Sequence, residues 1–554
     1  MNDTPLGRRL DRRRWLAGAT SLTAFLAACG PEASQGPQTQ PGSGASTGAA
    51  GGSGGAATTA PSAPVPDREV VIAVSRDLAN GPQDPFFTHS SPMVWEPLVG
   101  LDDALKPKAV LAESWTLSED ARTWTFKLRP NVKFSDGTPF DADAVVKNMQ
   151  RYMKISPRPS PYTAMDVRVG YGKLADVQKV DASTVRFMSE DPNPTMVNTM
   201  SNFFSAMFQP AGFAENGDFT GNPVSTGPYA VKEWKRGEYL LLERNEGYWG
   251  PKPAVKTVRL RIIADANARV SSIIAREVDG IAELGALLPA QAQQLKGQAG
   301  ITVGADPISI TQYIAFNCAK APFDDVKLRR AVAASIDREG IVKDLVMGYG
   351  TAGKSLLSPI STQWFSAKGT PRYAMADAQR LAKEALGDKK VEVLFPFSTS
   401  AGQARPYKQI GELLQQVLRP LGIEIKLQGL EAAALTDAVN RGEWGMFFSQ
   451  LGWANGDPDF IFSRFMRTGA ILTGTAPLGY SNAQADQLVA AGKSERDEKK
   501  RFTIYEQLQE LSVQEVPVTV LYHEHAPYAH RDTLAGLKQR ANFQPTLDAM
   551  RLVK

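Results

Sequence analysis

The 554-residue sequence predicts an α/β fold built from more than one packed unit. Strand and helix patterns alternate through its second half, the same mixture begins within its first third, and the length exceeds what one hydrophobic core usually serves. Glu69 to Val74 is a near-continuous apolar run, the pattern of a buried strand, and Arg122 to Leu128 alternates so that Trp124, Phe126 and Leu128 share a face. Asp136-Gly137 supplies a turn, and Asp141 is placed to cap a helix with Val145, Met149 and Tyr152 on one side. Further on, a strand from Val391 to Phe397, a helix from Tyr407 to Arg419 and a strand from Ile423 to Leu427 form one alternating unit. A second helix (Leu435 to Arg441) and strand (Met446 to Leu451) follow. Such alternation predicts parallel strands joined by right-handed crossovers, with any ligand beyond their carboxyl ends. The helix from Lys499 to Gln514 stops before Pro517, and Val518 to Tyr522 reads as a strand returning to an earlier sheet. No fixed-period internal repeat is visible.

Composition narrows the function classes. Hydrophobic residues make up 43% and charged residues 22%, as in ordinary soluble proteins. The formal net charge is only +4, and five arginines precede Trp15, so the folded part has no basic excess and nucleic acid is excluded as a partner. The two cysteines, Cys29 and Cys318, do not predict a disulfide, because the first lies in a targeting signal. Cys318, beside the apolar Tyr313 to Asn317 run, reads as buried packing.

The amino terminus has the anatomy of a signal peptide. Arg8, Arg9, Arg12, Arg13 and Arg14 precede an apolar stretch from Trp15 to Ala28, then small residues and Cys29. That stretch is shorter than the ~20 residues of a membrane span. Leu26-Ala27-Ala28-Cys29 resembles the bacterial lipobox, which implies cleavage before Cys29 and acylation of that residue. Arg12-Arg13-Arg14-Trp15-Leu16 resembles a twin-arginine export signal, which leaves two export routes open. From Gly30 to Pro66 the chain is almost wholly Gly, Ala, Ser, Thr, Pro and Gln with Glu32 as the only charge, a composition that cannot offset ordering entropy. It predicts a flexible tether (30–66) with a reach on the order of 30 to 40 Å.

Several blocks of the mature sequence resemble one family. Ala112-Glu-Ser-Trp115, Thr123-Trp-Thr-Phe126, Val132-Lys-Phe-Ser-Asp-Gly-Thr-Pro-Phe140, Ser225-Thr-Gly-Pro-Tyr229, Asn245-Glu-Gly-Tyr-Trp-Gly250 and Ala321-Pro-Phe-Asp-Asp325 together are similar to the family 5 extracytoplasmic solute-binding proteins of peptide and nickel ABC transporters. The resemblance covers Val70 to Val553. It implies a type II periplasmic-binding-protein-like fold of two α/β lobes joined by two crossover segments near Phe316 and Val520. Lobe 1 would comprise 67–317 and 520–554 with an inserted subdomain at about 96–221, and lobe 2 would comprise 318–519. It also implies a monomeric, lipid-anchored protein that closes on a peptide or metal-chelate ligand and delivers it to the membrane subunits of an ABC permease, without a cofactor and without catalysis. Most motif residues also have a scaffold reading: Asp324 or Asp325, and Asp337, as helix caps, Gly348 and Gly387 as helix ends, Trp115, Trp124 and Trp249 as core.

Candidate contacts come from the loop after the Met446 strand, Gln450-Leu-Gly-Trp-Ala-Asn-Gly-Asp457. In peptide binders of this family, the resemblance implies, an aspartate between the Trp and the Asp-Pro step pairs with the peptide ammonium. Here Ala454, Asn455 and Gly456 fill that interval, so either Asp457 substitutes or the ligand lacks a free amino terminus. The nickel branch implies an arginine near Phe203 to Pro210, and Ser201 to Phe208 contains none. Candidate ligand contacts are therefore Trp453, Asp457, Asn455, Arg405, Phe87 and His89, each with packing or surface as the plainer alternative. His523-Glu524-His525, with His530 nearby, invites a metal reading. On a strand, however, the two histidines share a face while Glu524 points away, and a solvated strand end without metal is the favoured reading.

Enzyme motifs fail on context. Gly44-Ala-Ser-Thr-Gly48 matches a nucleophile elbow but falls in the tether, and Gly348-Tyr-Gly-Thr-Ala-Gly353 matches a dinucleotide fingerprint but follows a helix. A receptor of the same fold that feeds no transporter is the remaining rival.

Overall fold

The computed structural model describes residues 67–77, 94–155, 171–201, 205–399, 405–453, 455–473 and 476–554. The signal segment with Cys29, the 30–66 stretch, Phe87 and His89 lie outside the described residues.

A nine-stranded sheet forms the spine. Its strands are β1 (Val70–Val74), β2 (Tyr229–Lys235), β3 (Tyr239–Arg244), β4 (Thr257–Ile262), β5 (Gly280–Ile281), β6 (Ile301–Phe316), β7 (Gly350–Ala352), β8 (Met446–Gly452) and β9 (Val518–Arg531). The order is β2-β3-β4-β1-β5-β9-β6-β8, and β7 also pairs with β9. β1 lies parallel to β4 and β5, and β6 and β9 run antiparallel along most of their length. β1, β6 and β9 bury Val, Ile, Tyr and Phe on both faces, which accounts for the near-continuous apolar runs in the sequence.

The β6–β9 ribbon organises what surrounds it. From Ile301 to Pro307 its β9 partner residues are Arg531 to His525, beside β5. The register then slips between Pro307 and Thr311, opposite His525 and His523. Beyond the slip, β6 gains β8 from Ile310 onward and β9 gains β7 over Tyr522–Glu524. The sheet thus changes neighbours on both sides within a few residues.

Around this spine the local expectations are met closely. The Val391–Ser398 and Ile423–Leu430 strands pair in parallel, connected by the Tyr407–Leu418 helix, whose Ile410, Leu414 and Leu418 are buried. The helix lies so near the strand that a Cβ on Gly411 would stand 2.5 Å from Leu427 Cδ2. β8 departs from the expected parallel pattern, because it hydrogen-bonds antiparallel to β6 and not to that pair. Asp141 caps the Ala142–Ile155 helix through Ala144 N at 3.0 Å, and Asp325 and Asp337 cap helices through Lys327 N and Gly340 N. Trp124 is buried in a separate apolar cluster, Leu98 to Met207, built on a four-stranded antiparallel sheet and the Ala142–Ile155 helix. A larger cluster runs from Ala73 and Ile281 to Phe395 and Phe448, so apolar packing is continuous past the ribbon. Each buried Leu, Ile or Phe contributes about 1.5–3 kcal/mol. No described helix is long and apolar enough to cross a membrane.

Candidate functional site

The register slip opens onto a cavity of about 380 Å3. One wall is apolar, with Leu284, Leu288, Ile308, Val346 and Phe543. The other is polar, with Ser75, Arg405, Gln450, Tyr522, Glu524 and His525. Volumes of this order suit a ligand of two or three residues' size, and an apolar lining with a few placed polar groups is the usual character of a binding pocket.

Arg405, placed where the Tyr407–Leu418 helix begins, and Glu524, on β9, meet across this cavity. Arg405 Nε donates to Glu524 Oε1 at 2.6 Å and Nη2 to Oε2 at 3.2 Å, with both side chains about six-sevenths buried. Gln312 Nε2 donates to the same Oε1 at 2.5 Å, and Tyr407 Oη donates to Gln312 Oε1 at 2.7 Å. Burial works against the Arg405 charge, but the adjacent Glu524 outweighs it and holds the guanidinium protonated above its ordinary range. Burial pushes the Tyr407 phenol up to about 12 despite the opposing charge of Arg405, so it remains a donor.

The histidines take the alternate positions of β9, and His525 also borders the cavity. Strand alternation puts His523 beside Thr311 Oγ1 at 2.8 Å and His525 beside Thr351 Oγ1 at 2.9 Å, with Glu524 turned to the cavity. The expected solvated strand end is corrected here: β9 continues to Arg531 with neighbours on both sides, and His523 is only 2% exposed. Burial lowers His523 to about 3, with His525 and Lys354 adding to the shift. Among the described residues no group of three or more His, Cys, Asp or Glu is placed to hold a metal ion.

The remaining candidates fall elsewhere. Trp453 is 2% exposed within an apolar cluster, its N–H donating to Ser309 O and its Nε1 to Asp457 O, both at 2.7 Å. Asp457 is 1% exposed, and Arg501 Nη1 and Nη2 each reach one of its carboxylate oxygens at 2.7 Å. Arg501 lies over the Trp364 and Tyr505 rings, each 5.1 Å to the centroid, so the pair is enclosed by aromatic packing and neither residue lines the cavity. Asn455 Oδ1 accepts from Asp457 N at 3.2 Å, and its carbonyl accepts from Asn198 Nδ2 at 3.2 Å. Gly456 has φ +65°, and a Cβ there would stand 2.1 Å from Leu105 O, so glycine alone fits this approach. Of the six candidates, Arg405 lines the cavity; Phe87 and His89 are outside the described residues. Glu524, Gln312 and Tyr522 were not among them. Their signal was the two-residue strand period, which puts Tyr522 and Glu524 on the face opposite the histidines.

This architecture is the α/β fold of the type II periplasmic binding proteins. Residues 106–472 match the model of the bacterial extracellular solute-binding proteins, family 5, and the chain belongs to that family. It is 30% identical over 489 residues to the glutathione-binding protein GsiB of Escherichia coli K12, covering 85% of this chain and 91% of that protein. Among solved structures it superposes on NikA from Brucella suis in complex with Fe(III)-EDTA with a TM-score of 0.75 at 24% identity, covering 88% of this chain and 100% of NikA. The dipeptide binding protein of Pseudoalteromonas sp. SM9913 in complex with Met-Leu gives a TM-score of 0.70 at 23% identity, with the same coverage.

Proposed function

We propose that the chain is the substrate-binding component of an ABC importer, capturing short peptides outside the cytoplasm and handing them to a membrane permease without altering them. One observation carries the peptide reading: a small, largely apolar cavity holds a fixed guanidinium, Arg405, at its polar wall, the group that best receives a carboxylate in two parallel hydrogen bonds. The lobes, 67–317 with 520–554 and 318–519, open and close along the β6–β9 ribbon, and a ligand that touches both favours the closed state by its differential affinity. Leu26 to Cys29 supports cleavage and acylation of Cys29, with 30–66 as the tether. A chelate of nickel or iron, gripped through chelator carboxylates by the same arginine, is the second reading, favoured by the likeness to NikA.

Thermal denaturation with dialanine, glutathione and a nickel–histidine complex separates these. Dialanine or glutathione is expected to raise the melting temperature and to be recovered intact; a shift with the nickel complex alone reverses the substrate order, and product in excess of protein makes the chain an enzyme. Cys29→Ala is expected to move the protein from the membrane to the soluble fraction, with an intact mass lacking acyl chains. An unchanged distribution would remove the anchor from this reading.

A further inference from the structure

Glu524 is the single carboxylate among the described residues lining the cavity. It accepts three hydrogen bonds from described residues, two at Oε1 and one at Oε2, and a carboxylate offers about four acceptor positions, so one on Oε2 has no donor among the described residues. Arg405 uses Nε and one Nη2 hydrogen on Glu524. Its other three N–H groups, along the Nη1 and Nη2 edge, have no partner among the described residues. The other lining cation, Arg76, is bound to the buried Glu283, with Nε 2.9 Å and Nη2 2.8 Å from Oε1. The cavity therefore offers one guanidinium edge beside one carboxylate oxygen, with the two charges cancelling.

A solute bearing carboxylates alone would bring its charge against Glu524 in a confined site, where like charges repel strongly. A solute bearing an ammonium as well would complete both halves. We propose that Glu524 is a specificity-determining residue, accepting a hydrogen bond from the ligand's ammonium while Arg405 holds the same ligand's carboxylate, so that the cleft selects compact zwitterions. Two acceptors sharing Arg405 Nη2 lie within roughly 6 Å of each other, twice a hydrogen-bond length. A dipeptide or an α-amino-acid head group spans that gap; an extended tetrapeptide, at about 3.3–3.6 Å per residue, overshoots it. The acid absent from the Trp453–Asp457 loop is thus supplied from β9.

This rests on the peptide reading, and its test is a comparison across ligand and protein together. Calorimetric titration of the mature protein with dialanine, N-acetyl-dialanine and tetra-alanine is repeated on Glu524→Gln and Glu524→Asp. The natural protein is expected to prefer dialanine to both others by at least about tenfold, the scale of one charge-assisted hydrogen bond. Glu524→Gln is expected to erase the preference over the acetylated peptide, and Glu524→Asp, which keeps the charge, to retain its direction even if Glu524→Gln folds poorly. Equal binding of the free and acetylated dipeptides, or an unchanged ratio in Glu524→Gln, overturns the proposal while leaving the peptide reading in place. Failure of all three peptides where a nickel–histidine complex binds overturns both.

Discussion

Asp457 and Arg501 are each at most 9% exposed at the side chain and neutralise one another inside an aromatic enclosure. Removing one partner strands the other's charge in the interior, which costs about 3–5 kcal/mol, whereas an apolar pair of similar volume is often tolerated. Asp457→Asn is thus expected to lower the urea-unfolding free energy by about 3–5 kcal/mol, and Asp457→Leu with Arg501→Met to recover most of it. His523, like a paired carboxylate, binds its proton less readily in the folded chain than in the unfolded one. Its folded value near 3 lies below the ordinary 6.5, so the unfolded chain takes up the proton first. The stability it contributes is complete above pH 6.5 and declines as pH falls from 6.5 toward 3. Urea unfolding across that interval should show this decline, and His523→Gln should flatten it. Arg405→Ala is expected to weaken dialanine binding by at least about a hundredfold in titration, because two charge-assisted bonds to a carboxylate are lost.

At the scale of elements, the loop after β8 is held by backbone shape. Gly456 combines a left-handed φ of +65° with a 2.1 Å approach of any Cβ to the Leu105 carbonyl. Gly456→Ala is expected to destabilise by more than about 1 kcal/mol, measured as a fall in the unfolding midpoint at unchanged denaturant slope. Most elements were legible because their cause is local. The parallel strands Val391–Ser398 and Ile423–Leu430, the helix between them and the Glu498–Glu515 helix follow from apolar periodicity and caps. Pairing was less legible, since β8 finds β6 from 136 residues away in sequence at Tyr313 and Ser449, a choice made by tertiary packing. The site was partly legible. Arg405 was among the sequence candidates, but Trp453 and Asp457 look the same in sequence whether they face a cavity or pack inside, and only burial distinguishes these. Glu524 was hidden because β9 runs well past Tyr522, turning an assumed strand end into a cavity wall.

For the whole molecule, cargo bound to the folded state alone adds stability in proportion to the logarithm of its saturation, about 2.7 kcal/mol at a hundredfold excess over Kd. Small-angle scattering is expected to show a smaller radius of gyration with dialanine than without it; an identical radius argues against lobe closure. The ribbon has one more consequence. The chain leaves β6 at Phe316 and re-enters β9 after Pro517, and the Phe316 N–H donates to the Pro517 carbonyl at 3.1 Å. Some two hundred residues therefore depart and return through a single doorway, so a gene fragment spanning them could be exchanged between homologues with only two junctions to heal.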